Sequence, residues 1–227
     1  MAEQAAGKEL NNVTFSRASL NAVELPVYQG LTMAAVRLVD SEALCHEALA
    51  VLMAAEVIGF DTESKPTFLK GEVSTGPHLV QLATETCAWL FQVSQLHSTA
   101  VLKEVLESPR LLKVGFGLGN DRSALQARLS IEINNVLDLG EVLRGPGHRG
   151  TVGAKVAVAH FFGQKLHKSK QTSTSNWANP RLSERQMLYA ANDAHVALQI
   201  YRAWTHAGSL ALTAEGGVPG SPEQIST

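Results

Sequence analysis

The sequence predicts an α/β fold on three observations: short apolar runs of strand length alternate with segments of helical periodicity, residues 57–60 are apolar throughout like a buried central strand, and the chain ends on a helix with a complete N-terminal cap signature. A hydrophobic content of 45% over 227 residues is ample for one large core. The expected folded unit is a single domain over residues 26–207. Polar, irregular residues 1–25 and Gly-, Pro-, Ser- and Glu-rich residues 208–227 are expected as flexible ends.

Ser41 reads as an N-cap beside Asp40, and Ala43, Leu44, Ala48 and Leu52 follow helical spacing. The apolar run 57–60 ends at Asp61, so a buried strand carries acidic residues at its carboxyl end. Residues 79–83 and 87–93 read as two strands joined as a hairpin by the polar turn Thr84-Glu85-Thr86. A helix over 100–106 and a strand over 111–116 follow, then a glycine-punctuated turn and a helix over 120–129. Val136 and Leu137 close a short strand, 145–150 is a loop, 152–162 has helical periodicity, and 165–180 is polar and irregular. The final helix is the best marked, because Ser183 and Gln186 have capping-box spacing, Leu182 can staple onto Met187, and the pattern runs to about Trp204.

With 19 Lys and Arg against 21 Asp and Glu, the formal charge is −2, which excludes a globally basic nucleic-acid binder and leaves such contacts to a local patch or to bound cations. Cys45 and Cys87 lie far apart without a partner motif, a pattern of buried structural thiols in a reducing compartment and not of a disulfide framework or zinc site. No apolar run approaches the roughly 20 residues that span a bilayer, and the chain's first residues lack the basic and apolar regions of a signal sequence. A cytoplasmic protein with no membrane contact is the expectation.

Asp61 and Glu63 stand two apart, so an extended backbone points both carboxylates to one side. Such oxygen-rich pairs suit Mg²⁺ and Mn²⁺, and two ions about 3.5–4 Å apart stabilise the attacking and leaving oxygens of phosphoryl transfer. A strand end exposing two solvated acids has the same sequence. Tyr189 and Asp193, four apart on the final helix, share a face. They offer a carboxylate to the same cation and a phenol to orient water, or simply a core aromatic beside a surface charge. Asp121 opens a helix after Gly115-Phe116-Gly117-Leu118-Gly119, where it serves equally as a cap or as a ligand. Asn120 stands where the third glycine of a dinucleotide-binding turn belongs, which weakens a nucleotide-binding reading of that turn.

Asp-x-Glu after an apolar strand, an Asp opening a helix, and Tyr-x-x-x-Asp in a last amphipathic helix together resemble the DEDDy branch of proofreading-type 3′→5′ exonucleases. Gly59-Phe60-Asp61-Thr62-Glu63-Ser64-Lys65-Pro66, Leu79-Val80-Gln81-Leu82-Ala83, Ser175-Asn176-Trp177 and Leu188-Tyr189-Ala190-Ala191-Asn192-Asp193-Ala194 are similar to the Werner-syndrome-helicase-type and ribonuclease-D-type exonuclease domains. The similarity covers residues 57–204. This resemblance implies an RNase H-like fold, an α/β architecture with a mixed five-stranded sheet flanked by helices, and two divalent ions, Mg²⁺ or Mn²⁺, at the four acids. By position, Asp61 would bridge both ions, Glu63 and Asp193 would hold the ion of the nucleophile, Asp121 would support the second, and Tyr189 would position the attacking water. The implied product is a nucleoside 5′-monophosphate.

The implied partner is the 3′ end of single-stranded or recessed DNA or RNA. Candidate substrate contacts are Thr62, Lys65, Gln81, Asn120, Lys168, Lys170 and Trp177. Lys165, His167, Lys168 and Lys170 crowd one loop, and His148 and Arg149 another, enough to neutralise a few phosphates. Trp177 suits base stacking or a core anchor. Phe68 belongs to a stretch after the first acids that could cover terminal bases. A catalytically weak nucleic-acid-binding module on the same fold, and an enzyme using the glycine-rich turn for a nucleotide, are the rival readings.

Overall fold

The computed structural model of the chain describes residues 24–68, 71–95, 98–144 and 150–215. Residues 145–149, with His148 and Arg149, and most of both expected flexible ends lie outside the described residues. In chain order the main elements are β1 (Val36–Leu38), α1 (Glu42–Met53), β2 (Val57–Glu63), β3 (Leu79–Ala83), β4 (Ala88–Gln92), α2 (Ser98–Glu107), β5 (Leu112–Gly115), α3 (Gly119–Leu129), β6 (Val136–Asp138), α4 (Leu139–Val142), α5 (Ala154–Phe162), α6 (Lys170–Ser173) and α7 (Glu184–Glu215).

The strands form one sheet in the order β1-β4-β3-β2-β5-β6. It is mixed: β2 is antiparallel to β3 and β3 to β4, while β1 is parallel to β4, β2 to β5, and β5 to β6. Six strands replace the expected five. The added one, β1, spans three residues, too few for a period-2 pattern to show in the sequence, and its pairing with β4 is non-local. Two further expectations are corrected. Residues 170–173 form a short helix within a stretch expected to be irregular, because Ser169 caps it by accepting from Thr172 N. The last helix continues past Trp204 and into the expected tail, to Glu215.

Side chains alternate across the strands and divide the core. On one face Ile58, Phe60, Val80, Leu82, Trp89 and Phe91 pack against α1, α2 and α3. On the other, Leu79, Ala83, Ala88 and Leu90 meet the small residues Ala190, Ala191 and Ala194 of α7, which let that helix lie close to the sheet. The local signals hold: Ser41 accepts from Leu44 N, and Ser183 and Gln186 exchange capping-box bonds of 3.1 and 3.2 Å. Cys45 is buried and Cys87 half-buried, and neither forms a disulfide. No helix among the described residues is long and apolar enough to cross a membrane.

Before β1, residues 26–31 run as a strap over this second layer. Val27 bridges Lys165, Tyr28 N donates to Lys165 O, and Lys165 N donates to Pro26 O. Tyr28 stacks on Phe162 at 5.8 Å. Further on, Leu31 N donates to Oδ1 of Asn192 at 2.7 Å, while Asn192 Nδ2 donates to Leu31 O and Leu188 O. Gly30 is required there, since a Cβ would lie 1.8 Å from that same Oδ1.

Candidate active site

β2 outruns its neighbour β5: the paired residues end at Gly59, so Asp61, Thr62 and Glu63 project beyond β5. Gly59 faces α7, and strand alternation therefore turns Asp61 and Glu63 to the α7 side as well. Asp193 of α7 comes from that side and is 8% exposed. Thr62 points the opposite way, and its Oγ1 donates to Oδ1 of Asp121 in the first turn of α3. Asp121 thus reaches the strand end from the other helical layer.

Asp121 is placed by the glycine-rich turn. Gly117 adopts φ +72°, a conformation that disfavours any side chain, and a Cβ on Gly115 would lie 2.4 Å from Phe60 O. The turn is tied down by a residue that the sequence reading passed over. Asp138, at the end of β6, accepts from Gly117 N and Leu118 N, and also caps α4 through Gly140 N. The Asp-Leu-Gly that starts a helix directly after a short strand was the available signal.

The four acids feel one another. Burial, then the charges of Asp193 and Asp121, hold the Asp61 carboxyl well above the usual range, with Lys168 pulling the other way. Burial followed by Asp61 and Asp193 pushes Glu63 up to about 9. Asp193 is raised by burial against the opposing effect of Lys168 and Tyr189, and Asp121 by burial against its bond from Thr62. Such crowding of carboxyls costs stability unless cations or protons offset it. The donor set, four hard carboxylates and no thiol, fits Mg²⁺ or Mn²⁺. Among the described residues, however, no three His, Cys, Asp or Glu side chains converge to ligand distances as they stand. Two acids hold other partners: Asp121 is bonded by Thr62, and Asp193 is paired with Lys168 at 3.0 Å. A shared ion therefore requires side-chain adjustment at the site.

The phenol of Tyr189 donates to Asp193 and is also hydrogen-bonded to Ser173; burial, then Asp193 and Glu63, raise its pKa, so it remains a donor. Trp177 packs 6.1 Å from the Tyr189 ring, and its Nε1 donates to Ser173 O. It is 0% exposed, which corrects the stacking expectation: Trp177 backs Tyr189 and cannot meet a base. Gln186 Nε2 donates to Ser175 Oγ, which explains the Ser-Asn-Trp run as the anchor of the α7 start.

The remaining expected contacts divide. Gln81, opposite Asp61 on β3, borders the acids and is 0% exposed, with no hydrogen-bond partner for its amide among the described residues. Thr62 is engaged by Asp121 and Lys168 by Asp193, which turns both inward. Asn120 and Lys170 are exposed, and Lys65 is partly so. Phe68, beyond β2, is exposed in a loop whose neighbouring Thr75 accepts from Arg128 of α3.

Residues 36–206 match a family model described as 3′-5′ exonuclease. The bifunctional 3′-5′ exonuclease/ATP-dependent helicase WRN of Mus musculus is 29% identical over 174 residues, which cover 76% of this chain and 12% of that protein. The exonuclease mut-7 homolog of Aedes aegypti is 35% identical over 193 residues, covering 74% of this chain and 26% of that protein. The chain thus spans a minor part of either relative. The crystal structure of the Aedes aegypti Nibbler EXO domain superposes with a TM-score of 0.66 at 30% identity, covering 82% of this chain and 99% of that one.

Proposed function

This chain belongs to the 3′-5′ exonuclease family of hydrolases, an RNase H-like group, and on that premise we propose that it removes nucleoside 5′-monophosphates from the 3′ end of DNA or RNA with two bound divalent ions, Mg²⁺ or Mn²⁺. The observation that carries this reading is the approach of Asp61 and Glu63 from β2, Asp193 from α7 and Asp121 from α3 to one strand end, close enough for their charges to couple. Asp61, Glu63 and Asp193 would hold one ion, with Asp61 and Asp121 supporting the second. Ions bound there activate water and stabilise the charge on attacking and leaving oxygens.

The chain's own residues supply the rest. Tyr189 stays protonated and donates at the edge of Asp193, which suits it to orient a water toward the scissile phosphorus. Trp177 behind it fixes the ring. Asn120, Lys165, His167 and Lys170, exposed, and Lys65, partly exposed, would meet the strand backbone. A handful of such contacts implies modest, salt-sensitive affinity for a short strand end.

The test follows 5′-labelled DNA and RNA oligonucleotides, single-stranded and recessed, incubated with the protein in Mg²⁺, Mn²⁺ or chelator. Stepwise shortening from the 3′ end that needs metal and disappears in Asp61→Asn and Asp193→Asn is expected. Undiminished activity in either variant removes that residue from the mechanism. Binding without shortening would favour the weak nucleic-acid-binding module instead.

A further inference from the structure

Of the four basic residues crowded before α7, one alone turns into the acids. Lys165, His167 and Lys170 are exposed, whereas Lys168 is partly buried with its Nζ 3.0 Å from Oδ2 of Asp193. Burial would favour the neutral amine, but Asp193, Asp61 and Glu63 together outweigh it and keep the ammonium charged. The backbone on both sides is pinned. Lys165 is bonded to Pro26 and Tyr28 of the strap, and Ser169 caps α6 and accepts from Arg185. Any change of partner by Lys168 therefore falls to its flexible four-carbon stem and not to the loop.

Resting on the two-ion reading above, we propose that Lys168 is an exchangeable cation of the acidic site: its ammonium neutralises Asp193 until a divalent ion takes that carboxylate, and its side chain then swings out of the acid cluster. Charge balance argues for exchange over coexistence. Four ionised carboxylates carry four negative charges, which two dications offset in full, so an ammonium left on Asp193 would be a surplus like charge beside an ion on the same group. Before ions bind, the same ammonium is the cation that faces Asp61, Glu63 and Asp193 together. Lys168 is thus a positioning residue that holds the unloaded acids in place.

The test compares the full chain with Lys168→Met in thermal melts, with metal binding followed separately by calorimetric titration of Mn²⁺. In chelator the variant should melt several degrees below wild type, and in saturating Mn²⁺ the gap should close. A gap of equal size in both conditions would mark Lys168 as an ordinary structural partner and overturn the exchange. A measurement on wild type alone gives an independent check: acylation of lysines by an amine-reactive ester, read by peptide mass spectrometry, should rise several-fold at Lys168 on adding Mn²⁺ while Lys103 stays constant. Unchanged labelling with calorimetric binding present defeats the exchange but leaves the two-ion reading intact. No binding heat, together with no Mn²⁺-dependent change in melting, defeats both.

Discussion

Gly59→Ala changes no group of the acidic site, yet it should disable it. A Cβ built on Gly59 would lie 1.9 Å from the carbonyl oxygen of Ala194, where real contacts essentially never fall below 3.0 Å. The neighbour is helix backbone and cannot rotate away, so β2 and α7 must separate by the difference, about 1.1 Å. Overpacking of this kind costs about 1–3 kcal/mol, and at about 2–4 °C per kcal/mol in a domain of this size a 2 kcal/mol loss lowers Tm by about 4–8 °C. Ala194 directly follows Asp193, so the displacement draws Asp193 away from Asp61 and Glu63. A misplacement of about 1 Å at reacting groups costs roughly 10²-fold in rate. The assay pairs a thermal melt with initial rates of mononucleotide release in saturating Mn²⁺, run well below the variant's Tm. Wild-type stability and rate together would refute the claim that α7 rests on Gly59; lowered stability with a wild-type rate would refute the link between helix position and the acids.

Tyr189→Phe keeps the ring against Trp177 but removes the donor, so the rate should fall by about 10²–10⁴-fold with Mn²⁺ affinity nearly unchanged; parallel loss of affinity in a calorimetric titration would contradict the role. For pH, Glu63 is raised from an ordinary 4.5 to about 9, so across that window the unfolded chain ionises the group while the fold keeps its proton. The contribution of Glu63 to stability in chelator is therefore fully present below the ordinary value and is lost as pH rises toward 9, while a bound ion displaces the proton. The Tm gain on adding Mn²⁺ should grow between pH 6 and 8, on the order of degrees, and a gain that shrinks with pH would count against the carboxylates as ligands.

What the sequence disclosed was local. The apolar run into Asp61, the Ser183 and Gln186 cap, and the four-residue step from Tyr189 to Asp193 are periodic or short-range signals, and each stands where expected. The contacts that went unseen join distant segments. Thr62 was expected as a substrate contact, and strand alternation sends its hydroxyl to Asp121, 59 residues away, a bond with no local signal. Gln81 and Trp177 carry polar or amphipathic side chains typical of a binding surface, yet both are fully buried, Trp177 among residues that include the alanines of α7. Lys168 reads as one of four loop cations, and nothing local distinguishes the one that points inward.

The strap at residues 26–31 separates two boundaries that are easily taken for one. The family match begins at residue 36, but segments bonded to the fold begin earlier. A fragment cut at Val36 would remove both bonds between Asn192 and Leu31, leaving that amide only its bond to Leu188 O, and would unfasten Lys165 from the strap, keeping all four acids in the chain while loosening the segments that carry Asp193 and Lys168. A protein trimmed to the family-matched residues 36–206 would thus show the frailty of a truncation in place of the character of the enzyme.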